Sequence, residues 1–565
     1  MRHQKWSTRL RVVSGAHLWV VLLVVACGSD VDGRVRGGAP GNTCPESLPS
    51  EPPCNPALAD GPWAGAHRSS YAQGSSPLEG PRRGQRLDKQ HVYVTGVPVV
   101  LGFTGQYADG GRAVWSSPVS SLATVVKLDA ETLEILDEYV PREREPDAPP
   151  APLGVSGAYS LVDVDDHFIV ARGRAVEVFA DEVPGDRRSR IGLVTRFTLP
   201  DALLCGAGDT IVGITMTYDG RIAVATARGV VATLPRQPAQ MLPENVVAYA
   251  INDAASCDGG AATLEETSNS IAADESGGIY VVTSAAMYRF DWDGAALSLG
   301  WRAAYQAGSG QVGVRLGAGS GSTPTLMGTA PTDDRFVVFT DGQELMHLVL
   351  MWRDEVPADW EPIAEGRDRR IACEIPVTFG DDDATASLSE QSVLVRGYAS
   401  IVVNNLLADP DAFAGQLPIL QNLNSALAGG DPAQAPYGVE RIDWNPVTRE
   451  CEVVWANPAP SIPNAIPTMS ERTGLIYAHG QRDGVWGLEA IDFETGESAF
   501  FEPAPDQECA TVLDYLPFLE RAASREVIER LPHSCENSAY SAAEIGPDGS
   551  LYQGTWSGIS RYRPR

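Results

Sequence analysis

Lysine is nearly missing from this 565-residue chain: beyond residue 26 only Lys89 and Lys127 occur. That scarcity argues against a Schiff-base mechanism, which needs a reactive lysine amine. Helical periodicity is equally scarce. Short helices around 411–427 and 511–530 are all that the apolar spacing predicts, which excludes a helical solenoid. The familiar chemical signatures are missing too. The cysteines show no CxxC or CxxH spacing, and His67, His91, His167, His347, His479 and His533 form no HxH or HExxH, so zinc has no local signature. No GxSxG elbow marks a serine hydrolase. The run Gly317-Ala318-Gly319-Ser320-Gly321-Ser322 leads into no helix and has no lysine, so it reads as a loop rather than a phosphate cradle. Positive charge is in the minority, 43 Lys and Arg against 73 Asp and Glu, a formal net charge of -30. Such a surface repels phosphate backbones, and a nucleic-acid partner is excluded.

What the chain does have is a globular composition, 43% hydrophobic and 21% charged, with 56 glycines and 41 prolines that suit many turns. At roughly 150 residues per domain the length allows three or four domains, unless repeats use it as one body. The first residues read as an export signal. Arg2, Lys5, Arg9 and Arg11 form a basic region, and AHLWVVLLVVA (16–26) an apolar stretch of eleven residues. A spanning helix needs about 20 apolar residues, so this stretch is a signal core and not a mature anchor. Val24-Val25-Ala26-Cys27 closes it and resembles the bacterial lipobox. The resemblance implies that residues 1–26 are removed and that Cys27 becomes the lipidated first residue, carrying thioether-linked diacyl and amide-linked acyl (palmitate) chains. Such multiple chains anchor stably. The alternative is an ordinary secretory signal with cleavage elsewhere. The expected location is therefore the bacterial cell envelope, as a membrane-anchored monomer facing the periplasm or the exterior.

Cysteine usage agrees with export. Without Cys27, eight of the nine cysteines remain: Cys44, Cys54, Cys205, Cys257, Cys373, Cys451, Cys509 and Cys535. An even number behind an export signal predicts disulfides, and sequential pairing (44–54, 205–257, 373–451, 509–535) is the expected connectivity. Residues 27–85, rich in Pro, Gly and Ser, read as a flexible tether.

From residue 86 to 565 the chain repeats. Short β-rich runs centred on Val92, Phe168, Ile222, Ile279, Phe336, Ile401, Leu475 and Leu551 recur at intervals of 54 to 76 residues, several after a tight Gly turn. Self-similar β-units at such a period predict an all-β fold, a single β-propeller of eight blades with seven as the alternative. The C-terminal run Gly558–Tyr562 is expected to share a blade with a strand near Val92–Val100.

Ala490-Ile491-Asp492-Phe493-Glu494-Thr495-Gly496 is similar to the A-x-D-x-x-T-G turn of the quinoprotein-type eight-bladed propellers. Echoes occur at Leu128–Thr132 and at Ile442–Thr448, both without the Gly. In that group Thr and Gly make the turn and a Trp docks between blades. The resemblance implies a quinoprotein-like body over roughly residues 86–565. Its dehydrogenases hold pyrroloquinoline quinone over adjacent cysteines, and this chain has no adjacent pair and no CxxCH haem motif. A quinone is therefore not expected.

Polar clusters precede several predicted blade cores and should collect at one mouth of the central channel. They supply the ligand-binding candidates Glu266, Asn269, Ser270, Glu390, Asn537 and Ser538, joined by Glu536 and by the pair Asn404-Asn405. Hard oxygen ligands of this kind suit Ca²⁺. Calcium-dependent lactonases on six-bladed propellers use comparable rings. The competing reading is that these residues only satisfy strand ends. The acidic run Asp381–Asp383 reads as a solvated loop. Two function classes follow: an envelope lipoprotein that binds a small ligand or an envelope protein at a propeller face, or a calcium-dependent hydrolase or quinoprotein-like oxidoreductase acting at the channel.

Overall fold

The computed structural model describes residues 50–565 except 121–123, 142–157, 207, 260–263, 309–314, 316, 318, 417, 507–534 and 539. Every described residue belongs to one compact unit. Cys27, Cys44, Cys509 and the expected helix at 511–530 lie outside the described residues.

Eight sheets make up the described body, seven of four strands and one of five, antiparallel except where Ser75–Ser76 pairs parallel with Thr468–Ser470. In seven of them the strands lie in chain order from one edge to the other, and in the eighth Leu87–Tyr93 is added outside Gly558–Pro564, the connectivity of an eight-bladed propeller. The inner strands of blades 1 to 8 are Leu101–Phe103, Ser160–Val162, Ile211–Met216, Ala272–Ala273, Thr325–Met327, Leu394–Arg396, Thr468–Ser470 and Ala543–Ile545. Seven of the eight expected core runs are the second strands of blades 2 to 8. Val92 is not: its strand, Leu87–Tyr93, is the outermost of blade 8 and pairs antiparallel with Gly558–Pro564, Val92 opposite Ile559. The N-terminal strand thus closes the ring on the C-terminal one, as the sequence suggested. The second strand of blade 1 is Ala113–Ser116, which the sequence reading passed over because Leu87–Tyr93 alternates just as well.

Repetition extends to detail. In blades 1, 2, 4, 5, 6 and 7 the outer strand carries a β-bulge at the equivalent place. The turn of the Asp492 motif is an Asx turn, Asp492 Oδ1 accepting the Glu494 and Thr495 N–H groups at 3.0 and 2.9 Å. Both sequence echoes fold identically: Asp129 accepts from Glu131 and Thr132, and Asn445 from Val447 and Thr448. Where the motif has Gly496 (φ 72°), the echoes place Leu133 (φ 61°) and Arg449 (φ 59°) in the same left-handed conformation. The docking tryptophan is also present. Trp455, from the outer strand of blade 6, donates its Nε1–H to the Phe493 carbonyl of blade 7 at 2.9 Å, and Trp301 of blade 4 does the same to Arg353 of blade 5 at 3.0 Å. A Cβ on Gly496 would stand 2.5 Å from the Trp455 ring. Gly496→Ala is therefore expected to cost about 2 kcal/mol, from left-handed strain plus displacement of the indole, read as a lower denaturation midpoint.

Two of the expected disulfides are in place: Cys205–Cys257, and Cys373–Cys451 across blades 5 and 6. Cys54 and Cys535 are also disulfide-bonded. Two α-helices occur among the described residues, Ala254–Gly259 and Pro418–Ala428.

Residues 50–85 are not a free tether. The stretch Ala57–Ser76 runs through the channel as a belt along the open edges of the inner strands. Phe103, Val162, Ala273, Leu326, Val395 and Met469 donate their N–H groups to the carbonyls of Trp63, Ala64, Ser70, Tyr71, Gln73 and Gly74, at 2.7 to 3.2 Å. These donors belong to blades 1, 2, 4, 5, 6 and 7. Blade 3 is reached by the Ser70 hydroxyl, which donates to the Met216 carbonyl at 2.7 Å. Trp63 and Tyr71 are fully buried in the blade cores. The belt's small residues, a disorder signature by composition, are there because the channel is narrow; a Cβ at Gly61 would collide with the Phe103 carbonyl. His67, Arg68 and Ala72 adopt positive φ to follow the ring, an arrangement that survives only where surrounding contacts over-determine it.

Candidate functional site at the channel mouth

The belt enters where the inner strands finish, with the Val164 N–H donating to the Ala57 carbonyl, and His67 reaches Thr323 and Ser392, just before the inner strands of blades 5 and 6. The polar clusters gather where those strands begin, because each immediately precedes its inner strand. Asn269 donates to the Gly321 carbonyl and accepts from the Tyr159 hydroxyl at 3.2 Å. Ser270 donates to the Ile214 carbonyl at 3.2 Å. A Cβ on Gly321 would strike the Glu390 carboxylate, so this glycine is what lets the acid reach the mouth. Arg315 faces Glu390 at 3.5 Å, with both side chains nearly fully buried, and donates to the Gly342 carbonyl at 2.6 Å. Asn405 accepts from the Glu390 N–H at 2.8 Å and donates to the Pro463 carbonyl at 2.8 Å.

On the blade 7 and 8 side, Asn537 does different work. Asn464 and Asn537 both donate to the Ala426 carbonyl at the C-terminal end of the helix Pro418–Ala428, at 2.9 and 2.8 Å, and Asn464 also donates to Asn537 Oδ1 at 2.9 Å. They cap unsatisfied helix carbonyls. Ser538 is buried beside them. Glu536 offers its backbone carbonyl to His479 Nε2 at 2.6 Å; burial and the charge of Asp506 push its carboxyl up. Two candidates turn away. Asn404 bonds the Tyr437 carbonyl at 2.9 Å, and Glu266 is exposed.

The mouth therefore brings together Asn269, Ser270, Glu390 and Asn405, and it adds His67, Tyr159, Arg315 and Tyr540, which sequence reasoning missed. His67 lay hidden in a stretch read as tether. Tyr540 follows Ser538 within the same polar cluster, and extending that cluster would have found it. Burial holds the His67 imidazole down to about 4 and pushes the Tyr159 phenol up to about 12. Burial and the Glu390 charge raise Tyr540.

The amide oxygens of Asn269, Asn404, Asn405 and Asn537 each already accept a protein hydrogen bond, from Tyr159, Leu406, Glu390 and Asn464. A guanidinium stands beside the central carboxylate. The four asparagine oxygens are thus turned to protein donors rather than to one cation. Two carboxylate–histidine groups lie elsewhere. Asp163, Asp165 and His167 converge within ligand distance, but Arg236 occupies the acidic side at 3.1 Å from Asp163. Asp341, His347 and Glu374 also converge, with Arg367 paired to Glu374.

Two cavities flank His67, each with about 10 Å³ of space for water, close to the volume of one molecule. Both cavities are lined in part by the belt, through Ala66 and His67, and both are far smaller than a tricyclic quinone.

No family model matches the chain. An uncharacterized protein of Archaeoglobus fulgidus is 44% identical over 517 residues, 92% of this chain and 90% of that protein. Among solved structures, a quinohemoprotein alcohol dehydrogenase of Pseudomonas putida HK5 aligns with a TM-score of 0.51 and that of Comamonas testosteroni with 0.52. Each is 12% identical, over 90% of this chain and 80% of the dehydrogenase. This is a likeness of fold.

Proposed function

The chain belongs to the family of the uncharacterized Archaeoglobus fulgidus protein, and from that premise we propose that it is an exported, lipid-anchored β-propeller of the cell envelope that binds a partner at a propeller face. The belt carries this reading. A channel occupied by the chain's own residues, with room for single waters, leaves the faces as the surfaces open to a ligand. Near residue 50 the chain meets the face where the inner strands end: Ser50 bonds Glu471, and Arg68 pairs with Glu51 at 3.2 Å. The opposite face carries the polar mouth and the helix Pro418–Ala428, and it is the one assigned to the partner. The net charge of -30 favours a basic or neutral protein surface over an anionic one.

Two measurements test the proposal. Cys27→Ser should move the protein from the membrane fraction to the soluble fraction without changing its melting temperature. Calcium or pyrroloquinoline quinone, added separately to the purified protein, should leave that temperature unchanged. A specific ligand at 100 times its Kd would add about 2.7 kcal/mol, so a concentration-dependent rise with either would return the channel to the enzyme reading. Retention of the Cys27→Ser protein in the membrane would remove the anchor.

A further inference from the structure

The belt bonds seven blades directly. Among the described hydrogen bonds, none links a belt carbonyl to the inner strand of blade 8, Ala543–Ile545. At that seam lies one of the two small cavities, lined by His67 of the belt, by Tyr159, and by Tyr540, Ala542 and Glu544 of the last blade. Glu544 is 1% exposed. Its Oε1 accepts the Leu101 N–H of blade 1 at 3.0 Å, so it spans the junction where the ring closes. Its Oε2 has no hydrogen-bond partner among the described residues, and neither has His67 Nδ1. His67 Nε2 lies 3.0 Å from Ser392 Oγ and 3.3 Å from Thr323 Oγ1. Two unpartnered polar atoms, nine-tenths buried, thus border a space of about 10 Å³, the volume of one water.

We propose that this cavity is a binding site for a single ordered water that joins His67 Nδ1 to Glu544 Oε2 and so fastens the belt to the eighth blade. The proton inventory closes. In this arrangement His67 takes the Nε2–H tautomer, a Ser392 or Thr323 hydroxyl accepts that hydrogen, and Nδ1 is left as an acceptor. Burial raises Glu544 well above the ordinary glutamate range and favours the neutral acid; because Oε1 accepts the Leu101 N–H, the acid's hydrogen belongs on Oε2. The water accepts from Glu544 Oε2–H and donates to His67 Nδ1. Two more titratable groups line the cavity, Tyr159 and Tyr540, and burial raises both. The Glu390 charge acts on these two phenols.

A pH dependence follows. The folded state favours neutral Glu544 while the unfolded state does not. The stability this group confers is therefore complete below the ordinary glutamate pKa and is lost as pH rises through the raised one. Glu544→Gln keeps a donor for the water and an acceptor for Leu101 but does not titrate. The parent's melting temperature should fall with rising pH more steeply than that of Glu544→Gln, and a high-resolution crystal structure of the parent should show one water within hydrogen-bond distance of both atoms. A dry cavity in that structure, or identical pH slopes for parent and variant, would overturn the proposal.

Discussion

Replacing Tyr71 with alanine is expected to lower stability by about 4 kcal/mol, within the range for truncating a fully buried aromatic. The residue is 0% exposed and sits where the belt crosses blade 5. Its carbonyl receives the Leu326 N–H at 2.9 Å. Its ring meets Tyr218 edge-on at 6.4 Å and lies under the Arg353 guanidinium at 5.0 Å. Its hydroxyl donates to Glu275. Arg353 is itself fully buried, 3.9 Å from Asp274, so deleting the ring removes a face of its cation–π contact while leaving the charge inside the protein. Tyr71→Phe separates the two contributions. It keeps the ring and loses one hydrogen bond, at about 1 kcal/mol. Chemical denaturation gives the ordering parent, Phe, Ala. Limited proteolysis gives the mechanism, since a loosened belt should be cut between residues 50 and 76 before any blade is. An alanine variant as stable and as protease-resistant as the parent would show that the belt merely rests in the channel.

The blades were legible in the sequence and the belt was not, for one physical reason. A blade strand shows its burial as a run of β-branched and aromatic residues after a turn, as in Gly278-Ile279-Tyr280-Val281, because its side chains fill the space between sheets. The belt bonds through carbonyls, which every sequence has, and must keep side chains small to pass the inner strands, so Ala64-Gly65-Ala66 and Ser69-Ser70 read as a linker. The quinoprotein-like turn was legible at Asp492 and also at Asp129 and Asn445, where Gly is missing. In these turns the Asx oxygen holds the geometry, and Leu133 and Arg449 tolerate positive φ because their turns are otherwise identical. For the site, the sequence placed the polar clusters at one mouth but not their orientation. Whether Asn537 offers an oxygen to a ligand or caps a helix depends on Ala426, 111 residues away.

Removing the Cys373–Cys451 bridge by double serine substitution is expected to cost about 4 kcal/mol, from the loop entropy that a 78-residue separation returns to the unfolded chain. Its place in the fold adds a local reason. Cys373 stands opposite Leu350 at the bulge of its outer strand, the position held by Trp301 opposite Arg289 in blade 4 and by Trp455 opposite Arg441 in blade 6. Those tryptophans reach the next blade with an indole hydrogen bond; Cys373 reaches the next blade with a covalent bond. Three successive junctions, 4 to 5, 5 to 6 and 6 to 7, are thus pinned from the same position by Trp, Cys and Trp. Without the disulfide the junction between blades 5 and 6 keeps the Phe336, Trp352 and Trp444 cluster, with ring centroids 4.6 to 5.9 Å apart, and the Trp444 indole bond to Asp334 at 2.9 Å, but loses the tie made from the outer-strand bulge. The double variant should therefore still fold, melt at lower temperature, and exchange its amide hydrogens fastest in the outer strands of blades 5 and 6, Ile371–Pro376 and Glu450–Asn457. Uniformly faster exchange around the ring would mean that the bridge acts only through the unfolded chain, and an unchanged denaturation midpoint would mean that the packed aromatics hold this junction alone.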